Sequence, residues 1–187
     1  MSLRNLIRGA AALCAVAFFA ANAEAQTLSN ISNITLNANA AQTLTVSVTS
    51  GATVNFTLAQ GGAAAGDVSP AISTSWNLNP GLTGAVSLFG YFNTPSAALT
   101  DGTYDIASTY VEGRMTTGAV ATYTAFTQTN AVGPASGSLL LFTEAVTGVN
   151  KIKTRSDNLD LQINLAASPT VPASTYTGTL RIQARAL

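Results

Sequence analysis

Leu159-Asp160-Leu161-Gln162-Ile163-Asn164-Leu165 is the stretch whose reading decides the fold class. Apolar and polar residues alternate without a break, so Leu159, Leu161, Ile163 and Leu165 share one face. Side chains of an extended chain point to opposite faces in turn, and this rhythm predicts a half-buried β-strand. Asp157-Asn158 before it is turn chemistry. Toward the C-terminus the rhythm returns. Tyr176, Leu180, Ile182, Ala184 and Ala186 face one way; Thr177, Thr179, Arg181, Gln183 and Arg185 face the other. The link between the two strands holds Pro169 and Pro172, which have no N–H to give to a ladder.

Working toward the N-terminus, Leu44, Val46 and Val48 alternate with hydroxyl residues, and Ser50-Gly51 offers a turn. Val54, Phe56 and Leu58 alternate next, so Thr43 to Leu58 is expected to be a hairpin. A Gly/Ala-rich loop, Gln60 to Gly66, leads to a strand with Ile72, Thr74, Trp76 and Leu78 on one side, stopped by Asn79-Pro80-Gly81. Val86 to Phe92 is an apolar run fit for a core strand. Weaker strands are expected over Ile106 to Met115 and Tyr123 to Gln128, and short ones at Ser138 to Thr143 and around Ile152. After residue 26 no window carries a capped helical stripe. Short strands separated by turns predict an all-β, antiparallel sandwich spanning residues 42–187 as one domain.

The first residues have another grammar. Arg4 and Arg8 precede a charge-free apolar run, Gly9 to Ala21, and small-x-small sites follow at Ala21-Asn22-Ala23 and Ala23-Glu24-Ala25. This predicts a cleavable signal peptide over residues 1–25, with the cut after Ala25. The run falls short of the roughly 20 apolar residues that span a bilayer, and no later segment approaches that length. The expectation is therefore an exported protein at the extracellular space, cell surface or periplasm of a bacterium, and not an integral membrane protein. Residues 26–41, rich in Asn and carrying Ile31, Ile34 and Leu36, are either a first strand or an N-terminal arm.

Composition narrows the chemistry. The sole cysteine, Cys14, lies inside the leader, so the processed chain would have neither disulfides nor thiol chemistry. The chain has no histidine, which removes His-based triads, relays and most zinc or copper sites. Only 9% of residues are charged, and beyond residue 25 six bases face seven acids. Such a chain exerts no long-range pull on nucleic acid, so no nucleic-acid partner is expected.

Two segments resemble known exported proteins. Val171-Pro-Ala-Ser-Thr-Tyr-Thr-Gly-Thr-Leu-Arg-Ile-Gln-Ala-Arg-Ala-Leu187 resembles the closing strand of bacterial secreted immunoglobulin-like sandwiches, including fimbrial subunits of the spore-coat-U type. Ser73-Thr-Ser-Trp-Asn-Leu-Asn-Pro-Gly81, with Val86 to Phe92 after it, looks like other exported bacterial proteins. The resemblance implies an immunoglobulin-like fold and export, not an activity. Ser174 stands where such turns usually carry Gly, and the cysteine pair common in those subunits is absent.

Candidate sites are few. Asp101, Asp105, Glu112, Asp157 and Asp160 are the acids that could be paired for catalysis, but Asp101-Gly102 reads as a turn and Asp160 as a solvated strand position. The expectation is no enzyme, no catalytic residue, no metal and no cofactor. Trp76, Tyr91, Phe92 and Tyr110 are a candidate sugar-stacking platform, set against a core role for Trp76, which shares a face with Ile72 and Leu78. Lys151, Lys153 and Arg155 recur every second residue, as on a solvated face or a guarded sheet edge. The function expected is a structural or assembly module, a pilus- or surface-filament-like subunit. It would join itself or other surface subunits by strand addition through an arm bearing Ile31, Ile34 and Leu36, with a periplasmic chaperone as a candidate partner. The alternative is a carbohydrate-binding surface module with glycans as partners.

Overall fold

A computed structural model describes residues 30–79, 81, 83–168 and 170–187. The expected leader, its cleavage site, Pro80 and Pro169 lie outside the described residues. The chain divides into two units, Met1–Asn39 and Ala40–Leu187. In the first, the described residues 30–39 form no regular structure, and Ile31, Ile34 and Leu36 are 85–89% exposed.

The second unit is all-β, as the alternating pattern requires. Its strands are β1 (Thr43–Ser50), β2 (Ala63–Ala65), β3 (Ala71–Asn77), β4 (Gly84–Tyr91), β5 (Leu99–Thr100), β6 (Asp105–Ile106), β7 (Val111–Arg114), β8 (Thr124–Ala125), β9 (Ser138–Val146), β10 (Ile152–Asn158), β11 (Asp160–Asn164) and β12 (Arg181–Ala186). They pair antiparallel in the orders β1-β3-β10, β2-β11-β7-β8, β12-β4-β9 and β5-β6. The only helical pieces among the described residues are two 3-10 turns, Pro95–Ala97 and Ser108–Tyr110. No described helix is long and apolar enough to cross a membrane.

One continuous stretch ties two of these sheets together. β10 runs beside β3 until Asn158 meets Ala71; from Asp160 the same chain, now β11, lies beside β7 and β2. Leu159 is the pivot. Its N–H bonds the Pro70 carbonyl at 2.9 Å, and its side chain is 1% exposed. Leu161, Ile163 and Leu165 follow it inward. They join Ile72 and Trp76 of β3, Leu88 of β4 and Leu139 and Leu141 of β9 in one apolar cluster. Burying each such side chain contributes about 1.5–3 kcal/mol, which the sandwich needs because no disulfide helps it.

Two expectations are corrected here. Thr43 to Leu58 is not a hairpin. Gly51, at φ +68°, turns the chain, but β1 pairs with β3, and residues 53–58 touch a ladder only where Phe56 bridges Gly66. The Gly/Ala loop contains the short strand β2, held by β11. The row of Lys153 and Arg155 lies on a sheet edge, one of its two expected settings, with Lys153 exposed and Arg155 half-buried. Lys153 pairs with Glu144 at 2.5 Å. Arg155 lies 4.3 Å over the Phe142 ring and bonds Asp157. β10 is the edge of its sheet, and its inward side is capped by charged residues whose stems cover core while their heads find partners. Lys151 gives its carbonyl to the Leu78 N–H.

The opposite side of that sheet carries mostly hydroxyl and amide side chains. Thr43, Thr45, Ser47 and Thr49 of β1 stand beside Asn77, Ser75 and Ser73 of β3, which in turn meet Thr154 and Ser156 of β10. Ser75 and Thr154 share a hydroxyl–hydroxyl bond of 2.9 Å. No charged residue lies on this side of the three strands.

Candidate functional site: an apolar groove between two unpaired segments

A groove of about 920 Å³ is lined by the apolar side of the deciding stretch, Leu159, Leu161, Ile163 and Leu165, with Ile72 and Val111 beside them. Its two walls are extended segments that pair with neighbours only on their outer sides.

The first wall is residues 53–58. Asn55 ties it to Asp67 three times: Asp67 N–H donates to the Asn55 carbonyl at 3.0 Å, while the Asn55 N–H and Nδ2 donate to the Asp67 carboxylate at 2.8 and 2.9 Å. These bonds, the Asn55 side chain's first, hold the Asp67 carboxyl below its ordinary pKa. The second wall is residues 175–180. Thr177 exchanges two main-chain bonds of 2.9 Å with Thr100, and the Tyr176 hydroxyl donates to the Pro172 carbonyl at 3.0 Å. Gly178 permits this closeness, since a Cβ there would sit 2.0 Å from the Ala98 carbonyl oxygen.

Main-chain N–H and C=O groups of an extended chain alternate sides. With Asn55 and Thr177 committed outward, the main chains of Val54, Phe56, Tyr176 and Gly178 turn toward the groove. Among the described residues none of these four has a main-chain hydrogen-bond partner. Their apolar side chains reach down instead: Val54, Phe56, Leu58, Tyr176 and Leu180 are half-buried against the core. Two extended segments with free main-chain groups thus line one groove.

One end of the groove is bridged. The Gln60 carboxamide accepts the Val171 N–H at Oε1, 3.2 Å away, and donates from Nε2 to the Val171 carbonyl.

No protein-family model, curated protein or solved structure matches this chain.

The residues singled out from sequence are placed as follows. Trp76 is 1% exposed and donates its Nε1–H to the Asn150 carbonyl at 2.8 Å. Phe92 is 5% exposed and packs edge-on against Phe126. Tyr91 and Tyr110 are half-buried, Tyr91 donating to Gln183 at 3.3 Å. Two of the four rings of the proposed platform thus have both faces covered by protein. Asp101 accepts the N–H groups of Thr103 and Tyr104 at 2.8 and 2.7 Å, a turn cap. Asp157 is held by Arg155 and Thr117, Asp160 by Ser69 and Arg114, and Glu112 by Gln162 and Asn164. Asp105 lies exposed on β6, opposite Thr100. The arm residues Ile31, Ile34 and Leu36 are exposed.

The groove itself was missed by sequence reasoning. Its one signal was Gly178 within Tyr176-Thr177-Gly178-Thr179, a glycine inside a strand pattern, which marks close approach of another backbone.

Proposed function

We propose that this protein is an exported, immunoglobulin-like structural module that assembles by accepting an extended segment of a second copy into the groove. The observation that carries the reading is the pair of walls with unpaired main chain above an apolar floor. Unpaired strand edges are a ready template for another chain, with hydrogen bonds supplying affinity and side-chain pockets specificity. The segment that fits is the arm. Ile34, Leu36, Ala38 and Ala40 share one face at period two, so they could descend to the floor while Thr35, Asn37 and Asn39 face out. The six-residue walls match an insert of about six residues at about 3.3 Å each. Arg4, Arg8 and the apolar run after them support export, by the logic of secretory leaders.

Size decides it. The exported chain should form species larger than a monomer by chromatography and electron microscopy. Deleting residues 26–41, or placing Asp at Ile34 and Leu36, should abolish them, and the deleted protein should bind a peptide of residues 30–41. A monomer at every concentration, with no peptide bound, overturns the reading.

A further inference from the structure

We propose that the Gln60 side chain is a removable stand-in for the absent strand, a latch that keeps one end of the groove shut until an incoming main chain replaces it at Val171. The inference rests on the strand-accepting reading above and adds its control.

A carboxamide offers one carbonyl and an N–H donor, the same complement as a peptide unit. In an antiparallel ladder a hydrogen-bonded residue gives its N–H and takes a bond at its C=O from one partner. Val171 makes that two-way exchange with a single group, and the group is a side chain 111 residues away in sequence. Gln60 follows the first wall and Val171 precedes the second. The amide thus closes the groove just beyond the walls, and an added strand that runs on past them needs the same two groups of Val171.

The latch is built to release. Both of its hydrogen bonds are solvent-exposed, so water can take either partner. Gln60 is followed by a turn at Gly61-Gly62, where the Gly62 N–H bonds the Ala59 carbonyl at 3.3 Å. A Cβ added at Gly61 would have no neighbour within 4 Å, so this turn stands clear of packing that would fix Gln60 in place. By contrast, Asn55 secures its wall with both side chain and main chain, to Asp67, which does not line the groove.

The experiment follows a fluorescent peptide of residues 30–41 binding to the full exported chain, at concentrations where that chain is monomeric. Gln60→Ala should bind faster and about fivefold more tightly than wild type, because the open form no longer competes with a closed one. Its unfolding temperature should fall by only about 2–4 °C, the loss that a fivefold bias toward the closed form implies. Gln60→Asn, whose shorter amide cannot reach, should behave as Ala does and serves if the alanine variant does not fold. Gln60→Glu should also bind fast at neutral pH, since a carboxylate cannot donate to the Val171 carbonyl. In acid, once protonated, it should return toward wild type. Equal or slower association by the variants, with wild type binding the peptide, overturns the latch and leaves the strand-accepting reading standing. No binding by any form overturns both.

Discussion

Arg155 and Asp157, two residues apart on β10, form a two-bond ion pair whose carboxylate is only 6% exposed: Nε to Oδ2 is 2.7 Å and Nη2 to Oδ1 is 2.8 Å. Thr117 donates a third bond to Asp157 at 2.6 Å, and Arg155 also reaches Glu144 at 3.5 Å. Removing one partner of such a pair strands the other charge away from water. Asp157→Asn should therefore destabilise the protein by about 3 kcal/mol, measured by urea unfolding. A loss under half a kilocalorie would show that Glu144 alone suffices for Arg155.

Leu159 sits where one strand leaves β3 for β7. Leu159→Ala should cost about 2–5 kcal/mol, because a cavity opens at a site pinned by its own main-chain bond to Pro70. Ser75→Ala, on the hydroxyl side of the neighbouring strand, should stay within about 0.5 kcal/mol of wild type. Denaturant midpoints of the two variants compare the buried and outward sides of the same sheet.

Trp76 closes the β9–β10 connection through its bond to the Asn150 carbonyl. Asn150 in turn donates to Glu144 and the Ala145 carbonyl and accepts the Thr147 N–H. Trp76→Phe keeps an aromatic ring in the core but leaves that carbonyl without its donor. A loss of about 1–3 kcal/mol is expected, with faster amide exchange at Thr147 and Leu78. Unchanged exchange there would separate the indole from the connection it touches.

Acid should unfold the protein through its carboxylates. Asp160 is held below its ordinary pKa by the Ser69 hydroxyl first and Arg114 next. Asp67 is held down by Asn55. Burial pushes Glu144 up, yet bonds from Lys153 and Asn150 outweigh it and the net direction is down. These groups bind fewer protons folded than unfolded, so stability rises with pH through their titration. Their contribution is complete above the unfolded carboxylate range near 4 and is lost as pH falls through the lower folded values. Without histidine there is no imidazole step between pH 5 and 8. Unfolding midpoints should be level from pH 8 to about 5 and drop below about 4. A step near 6.5, or a level line down to pH 2, contradicts this.

How much of this was legible in the sequence depends on what alternation can encode. Period two announces which residues share a side, so Leu159 through Leu165 and Ile72 through Leu78 are readable from the residues alone. It does not announce the lateral partner. Leu44-Val46-Val48 and Val54-Phe56-Leu58 alternate equally well and are joined by a turn, yet β1 takes β3 and the second segment takes Gly66 and Asp67. Nor does it say which side is inward: Lys153 and Arg155 share their side with the buried Asp157, and only the tertiary pairing with Glu144 and Phe142 reveals it. The groove escaped for the same reason. An alternating segment with half its main-chain partners missing has the same composition as one with all of them.

The side of β1, β3 and β10 covered by Thr45, Ser47, Ser73, Ser75, Thr154 and Ser156 has a consequence for crowding. Neighbouring molecules that meet there encounter no Coulomb repulsion for dissolved salt to damp, so their closest approach should be nearly indifferent to ionic strength. Contacts made through this side alone should therefore be the same in fresh water and in brine.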